Sequence, residues 1–139
     1  MSRSHTTNRR VPSQRRGVAT VEFALICPVM FTFFFGAIEF GRTNQVLNAT
    51  SNAAYQGCRR AIVPGATVVQ ATAAAQSSLS AGFISGAVIT VNPTTITSTT
   101  TTVTVTVAVA LNTNSWIGQT FTKGVVVTRA CTLTREKTN

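Results

Sequence analysis

Arg15-Arg16-Gly17-Val18-Ala19-Thr20-Val21-Glu22-Phe23 is the stretch on which the reading of this chain turns. A basic leader ends at a glycine, an apolar run begins, and a carboxylate stands five residues into that run. Hydrocarbon excludes carboxylates. A glutamate inside an apolar segment of membrane length is therefore a functional residue by default, because some partner must offset its insertion cost.

The run itself has no lysine or arginine from Gly17 to Gly41, 25 residues. As a helix rising ~1.5 Å per residue it measures about 37 Å, enough to cross a hydrocarbon core of about 30 Å with some tilt. Twelve Val, Ile, Leu or Phe residues fall in Val18–Gly41, and together they contribute about −5 kcal/mol toward insertion. A glutamate at the helix centre costs on the order of 3 kcal/mol, and Glu22 and Glu39 stand near the two ends, where the cost is lower. Insertion is favoured. Pro28 would break a soluble helix but is tolerated in lipid, where local adjustments satisfy the carbonyl it frees. Arg3, Arg9, Arg10, Arg15 and Arg16 precede the run, and only Arg42, Arg59 and Arg60 follow it closely. The positive-inside rule then puts the N-terminus in the cytoplasm and the rest outside. A cleavable signal peptide has a shorter apolar region, about 7–15 residues, and ends at a small-residue site that is missing here. A buried core helix is also disfavoured, since nothing else in the chain could wrap so apolar a segment.

The chain has 139 residues and a formal charge of +9, room for one domain beside the span. More than half of that charge, +5, lies in residues 1–17, and the remainder is scattered rather than gathered into a basic stripe. Nucleic-acid binding is not indicated. The acids are Glu22, Glu39 and Glu136, and the single histidine is His5 in the leader. That inventory offers no paired acid and base, no activated serine and no phosphate loop. The expectation is a chain that is not an enzyme, with no cofactor and no small-molecule substrate. Of the three cysteines, Cys27 lies in the apolar run, where it serves as filler, and no metal-ligand spacing exists. Cys58 and Cys131 fall in the outer region, where oxidation is permitted, so either a Cys58–Cys131 bridge or two buried thiols is open.

Beyond Arg42 the helix is expected to continue to about residue 62. Leu47, Ala54, Cys58 and Ala61 make a face of small residues, and Pro64-Gly65 stops it. Val68, Thr72, Ala75, Leu79 and Phe83 predict one face of a second helix over about 66–81 in an alanine-rich stretch. The period then changes. Ala87–Val91 reads as a short strand, and Thr102–Leu111 alternates with Val103, Val105, Val107, Val109 and Leu111 on one side. The threonine-rich Thr94–Thr102 leads into it as exposed strand or loop. Residues 112–123 form a loop with Trp116 and Phe121, and Val125–Leu133 is a third strand with Val125, Val127, Cys131 and Leu133 on one face, Arg129 among them. The fold class is α+β: a long N-terminal membrane-spanning helix continuing outward, a second helix, and a small antiparallel sheet of about three strands packed on the outer half of the long helix. The expected division is a basic cytoplasmic leader at 1–17, a transmembrane helix at 18–42 and an outer, periplasmic domain at 43–139.

Arg16-Gly17-Val18-Ala19-Thr20-Val21-Glu22-Phe23, Ala24-Leu25, Pro28 and Gly36-Ala37-Ile38-Glu39-Phe40-Gly41-Arg42 together resemble the N-terminus of TadE-like proteins, minor pseudopilins of the bacterial tight-adherence (Flp-type) pilus system. The resemblance is close over 15–42 and loose beyond. It implies a prepilin peptidase as partner, cutting between Gly17 and Val18. Glycine before a cut lets an active site approach the backbone closely. It implies other pilin or pseudopilin subunits as further partners, with Glu22, now the fifth residue, pairing with the N-terminal amine of a neighbour and setting subunit register. Glu39 and Arg42, three residues apart on a helix, can pair and are read as anchors at the membrane interface. The implied location is the bacterial inner membrane, single-pass, with entry into a surface pilus left open. The alternative is a signal-anchored periplasmic binding or adhesion domain that does not polymerise.

Overall fold

The computed structural model describes residues 14–116 and 121–135. The leader up to residue 13, His5, and the tail with Glu136 lie outside the described residues. Helix α1 runs Gln14–Ala61, α2 Val68–Ala81, and the strands are β1 (Ala87–Asn92), β2 (Thr102–Ala110) and β3 (Val126–Thr134). This is the expected α+β arrangement, with α1 starting four residues before Val18 and α2 starting two residues later than expected.

The chain divides into two compact units, Met1–Phe35 and Gly36–Asn139. In the first, every described residue from Gly17 to Phe35 is exposed apart from half-buried Cys27. Pro28 is carried inside the helix, and Thr32 Oγ1 donates to the Pro28 carbonyl at 2.9 Å. Phe31, Phe34 and Phe35 pack ring on ring, with centroids 5.9–6.1 Å apart.

In the second unit α1 acquires a buried stripe: Gly36, Glu39, Arg42, Val46, Thr50, Ala53, Ala54, Gly57, Cys58 and Ala61. These spacings of three and four are the signature of one packed helix face. The unit begins at Gly36, and Gly36, Glu39 and Arg42 are packed residues within it. Thr43, Thr50 and Ser51 return their hydroxyls to the carbonyls four residues back, which lets polar side chains sit on a helix without outside partners.

The loop after α1 turns at Gly65, whose φ of +77° suits a residue without Cβ. Thr67 then caps α2, its side chain accepting from Gln70 N at 3.3 Å. Helix α2 buries Ala71, Ala75 and Leu79. The small residues permit close approach. A Cβ built on Gly57 would lie 3.1 Å from Val105 Cγ1, 3.2 Å from Ala75 Cβ and 3.3 Å from the Ala71 carbonyl. Gly57→Val is therefore expected to destabilise the outer unit by about 1–3 kcal/mol through overpacking, despite the helix propensity gained. Chemical unfolding of the full chain in detergent measures this, and unchanged stability would contradict the packing described.

Helix α2 ends in a Schellman motif: Ile84 N donates to Leu79 O and Phe83 N to Ser80 O, both at 3.0 Å. The residue at the left-handed position of this motif is normally glycine or asparagine. Here it is Phe83, with φ +53°, at a cost of about 1 kcal/mol. The motif turns the Phe83 side chain out to 83% exposure, so it does not extend the buried face of α2 as its spacing suggested. Ile84, one residue on, takes the buried place beside Leu79.

The sheet order is β1-β2-β3, antiparallel throughout. Central β2 buries Val103, Val105, Val107 and Val109 completely, the alternation expected of it, while Leu111 begins a 3-10 turn over Leu111–Thr113. Register pairs Val105 with Val91 on one side and Cys131 on the other. Thr104 and Thr132 share a hydroxyl hydrogen bond of 2.9 Å across the outer face. Residues 93–101 form a loop rather than strand, held by Arg135, whose amide donates to Thr101 O at 2.7 Å and whose guanidinium donates to Thr97 O at 2.9 Å.

Candidate functional site

Gly17, Val18 and Glu22 all lie on the exposed, apolar first unit, within α1. No neighbouring atom lies within 4 Å of the place a Cβ would occupy on Gly17, so steric room is not what calls for a glycine there. A helical glycine does weaken its turn by about 1 kcal/mol relative to alanine, which eases local unwinding near the helix start. Four residues separate Val18 from Glu22, so the two share a helix face. Among the described residues, one helix is long and apolar enough to cross a membrane, and its apolar window is almost wholly exposed.

Glu39 and Arg42 sit in the second unit, and each is only 7% exposed. Most of their side-chain hydrogen bonds run to segments far away in sequence. Glu39 Oε1 accepts from the amides of Phe121 (3.0 Å) and Thr122 (2.7 Å) and from Thr122 Oγ1 (2.6 Å). Oε2 shares the Phe121 amide at 3.2 Å. A carboxylate held by that many donors is stabilised in its buried charged form. Arg42 Nε donates to Asn114 O at 2.8 Å, Nη2 to Phe83 O at 2.9 Å and Nη1 to Gln45 Oε1 at 2.8 Å. Its guanidinium also lies 4.7 Å from the Trp116 ring centroid, a cation–π contact. The side chains were expected at the headgroups as a local anchoring pair. Both are buried within the unit, where each finds backbone partners that satisfy its charge.

Asn114 completes this hub. It is buried, takes the Ser85 amide on Oδ1 at 2.9 Å and returns Nδ2 to the Ser85 carbonyl at 2.9 Å. Its Nδ2 also reaches Ala110 O at 3.1 Å. Asn114 and Thr122 were not singled out from sequence. Both stand in a polar loop whose composition signals turn rather than contact. One turn of α1 thus gathers the end of α2, the segment after β2 and the segment before β3. Phe40, on the same turn, stacks on Phe121 at 6.1 Å between centroids, and a Cβ on buried Gly36 would meet the Phe121 ring at 3.5 Å. Chemically this is a clamp: it fixes loops by charge-assisted hydrogen bonds. Among the described residues, no group of three or more His, Cys, Asp or Glu side chains comes together.

Cys58 and Cys131 are adjacent, as their shared inward faces suggested, and both thiols are free. The Cys58 thiol donates to the Cys131 carbonyl at 2.8 Å, so it is directed at the β3 backbone instead of being joined in a bridge. Burial, then the hydrogen bond to Cys131, push the Cys58 thiol up to about 12 from its ordinary 9.0. It is protonated at neutral pH and therefore a poor nucleophile.

Residues 17–59 match the family model of TadE-like protein. The matched segment is about a third of the chain; it opens on Gly17 and closes near the end of α1, taking in Glu22, Glu39 and Arg42. No curated protein and no solved structure matches the chain.

Proposed function

We propose that this chain is a non-enzymatic, pseudopilin-like subunit of a tight-adherence pilus assembly or a related secretion apparatus, anchored in the bacterial inner membrane. The observation that carries this reading is the TadE-like match beginning at Gly17, on a helix whose first unit exposes nearly all of its apolar side chains. Val18–Phe35 is 18 residues, about 27 Å of helix, close to the hydrocarbon thickness of about 30 Å. Residues 1–17 lie in the cytoplasm, and the unit from Gly36 onward lies in the periplasm.

A prepilin peptidase cuts between Gly17 and Val18. The +5 leader stays behind, and Val18 gains a free amine. Glu22 then answers the amine of a neighbouring subunit. Either charge alone is expensive in lipid, and as a pair they set the axial register. The test is Glu22→Ala in cells making the whole apparatus. The variant is expected to be cut as efficiently as wild type, while its recovery in assembled complexes by cross-linking falls at least tenfold. Wild-type recovery of a normally cut Glu22→Ala chain would sink the pairing.

A further inference from the structure

We infer that the outer unit makes a second contact with the membrane, through an aromatic collar of Phe40, Phe83, Trp116 and Phe121 that seats in the headgroup region of the bilayer's outer leaflet. The inference rests on the membrane-anchored reading above and adds a site to it. Phe40, Phe83, Trp116 and Phe121 are all of the phenylalanine and tryptophan beyond Phe35. None of them is in the core, which is built from Val, Ala, Leu, Ile and Cys58. Their exposures are 61, 83, 70 and 54%. Soluble units place such rings inside, and a cluster of them outside marks an interaction surface.

One turn of α1 ties the four residues together. Phe40 stacks on Phe121, Arg42 lies against Trp116 and binds the Phe83 carbonyl, and Glu39 holds the Phe121 amide. Phe83 is the most telling member. It occupies a left-handed position that glycine would fill without strain, and the strain is not offset by any burial of its ring. A residue that costs the fold something and is left in solvent is serving a surface.

The occupant follows from position along the chain. Phe40 is five residues after Phe35, the last residue of the exposed apolar unit. Five residues reach at most about 17 Å, whatever the join between the units. A bilayer that holds Val18–Phe35 therefore keeps its outer headgroup zone within that reach of Phe40. Aromatic rings are favoured at that depth, with an apolar body toward acyl chains and a polar edge toward water. Lys123, exposed two residues beyond Phe121, adds a cation for lipid phosphates. Arg42 lies against the Trp116 ring and fixes the Phe83 backbone while it stays buried in the unit.

Trp116 is the sole tryptophan and reports directly. The full chain is reconstituted in vesicles of phosphatidylcholine and phosphatidylglycerol at about one chain per vesicle, and insertion is checked by alkaline carbonate wash and flotation. A chain that washes off contradicts the membrane-anchored reading itself. In an inserted chain, lipids brominated high on the acyl chain are expected to quench Trp116 emission at least twofold. The same quenching is expected after moving the reporter across the collar with Trp116→Phe and Phe83→Trp together. Trp116→Phe with Tyr55→Trp places it 15 residues past Phe40 on α1, and there no quenching is expected. An inserted chain whose Trp116 is untouched by brominated lipid, or equally quenched at position 55, overturns the collar. Shielding from aqueous acrylamide that arises only as protein density rises also overturns it, assigning the surface to a second copy.

Discussion

Replacing Glu39 by alanine is expected to destabilise the outer unit by about 4 kcal/mol. The carboxylate is buried and accepts from two backbone amides and one hydroxyl. Truncation leaves those donors unsatisfied, at about 1–3 kcal/mol for each group that water cannot reach. It also removes the negative charge near the buried Arg42, and breaking a buried charged network costs about 3–5 kcal/mol. Glu39→Gln keeps one oxygen acceptor and should lose about half as much. Denaturant unfolding of the full chain in detergent, followed by circular dichroism and by Trp116 emission, measures both variants. A Glu39→Ala protein within 1 kcal/mol of wild type would show that the clamp is not what fixes residues 121 and 122.

The second large effect falls on maturation. Gly17→Val should reduce the mature form at least tenfold. Valine adds a branched Cβ at the residue before the scissile bond, where a protease must approach the backbone closely, and it meets no neighbouring atom of the chain itself. Gly17→Ala, with one methyl, should give an intermediate block. Immunoblotting of membranes reads the ratio of the 139-residue precursor to a product 17 residues shorter. Normal conversion of Gly17→Val would remove the proposed cut from this peptide bond.

Elements were legible in the sequence wherever their signal is periodic and local. Val103–Val109 alternates because β2 is half-buried, and that pattern is visible within one nine-residue strand. Ala71 to Leu79 buries at helical spacing for the same reason. The Glu39–Arg42 hub was not legible, and the cause is physical. Glu39 is matched by backbone amides 82 and 83 positions away, and every residue but proline carries an amide. No residue type announces such a partner. Arg42 is likewise spent largely on carbonyls. Two charged side chains beside an apolar run therefore read as interfacial anchors. Phe83 misled through spacing: it is in step with Leu79, but the Schellman turn between them breaks the helical phase. Cys58 and Cys131 were brought together by their inward faces, while the direction of the Cys58 thiol depends on a β3 carbonyl that periodicity does not describe.

The charge asymmetry, the apolar run, the glycine and the fifth-position glutamate all meet at one peptide bond. The N-terminal residue of the chain isolated from the membranes of cells carrying the intact apparatus, read by Edman degradation or terminal-peptide mass, tests the account there. Val18 with a free amine is the result the account requires. An intact leader in cells with an active prepilin peptidase, or a start beyond Phe35, would contradict it.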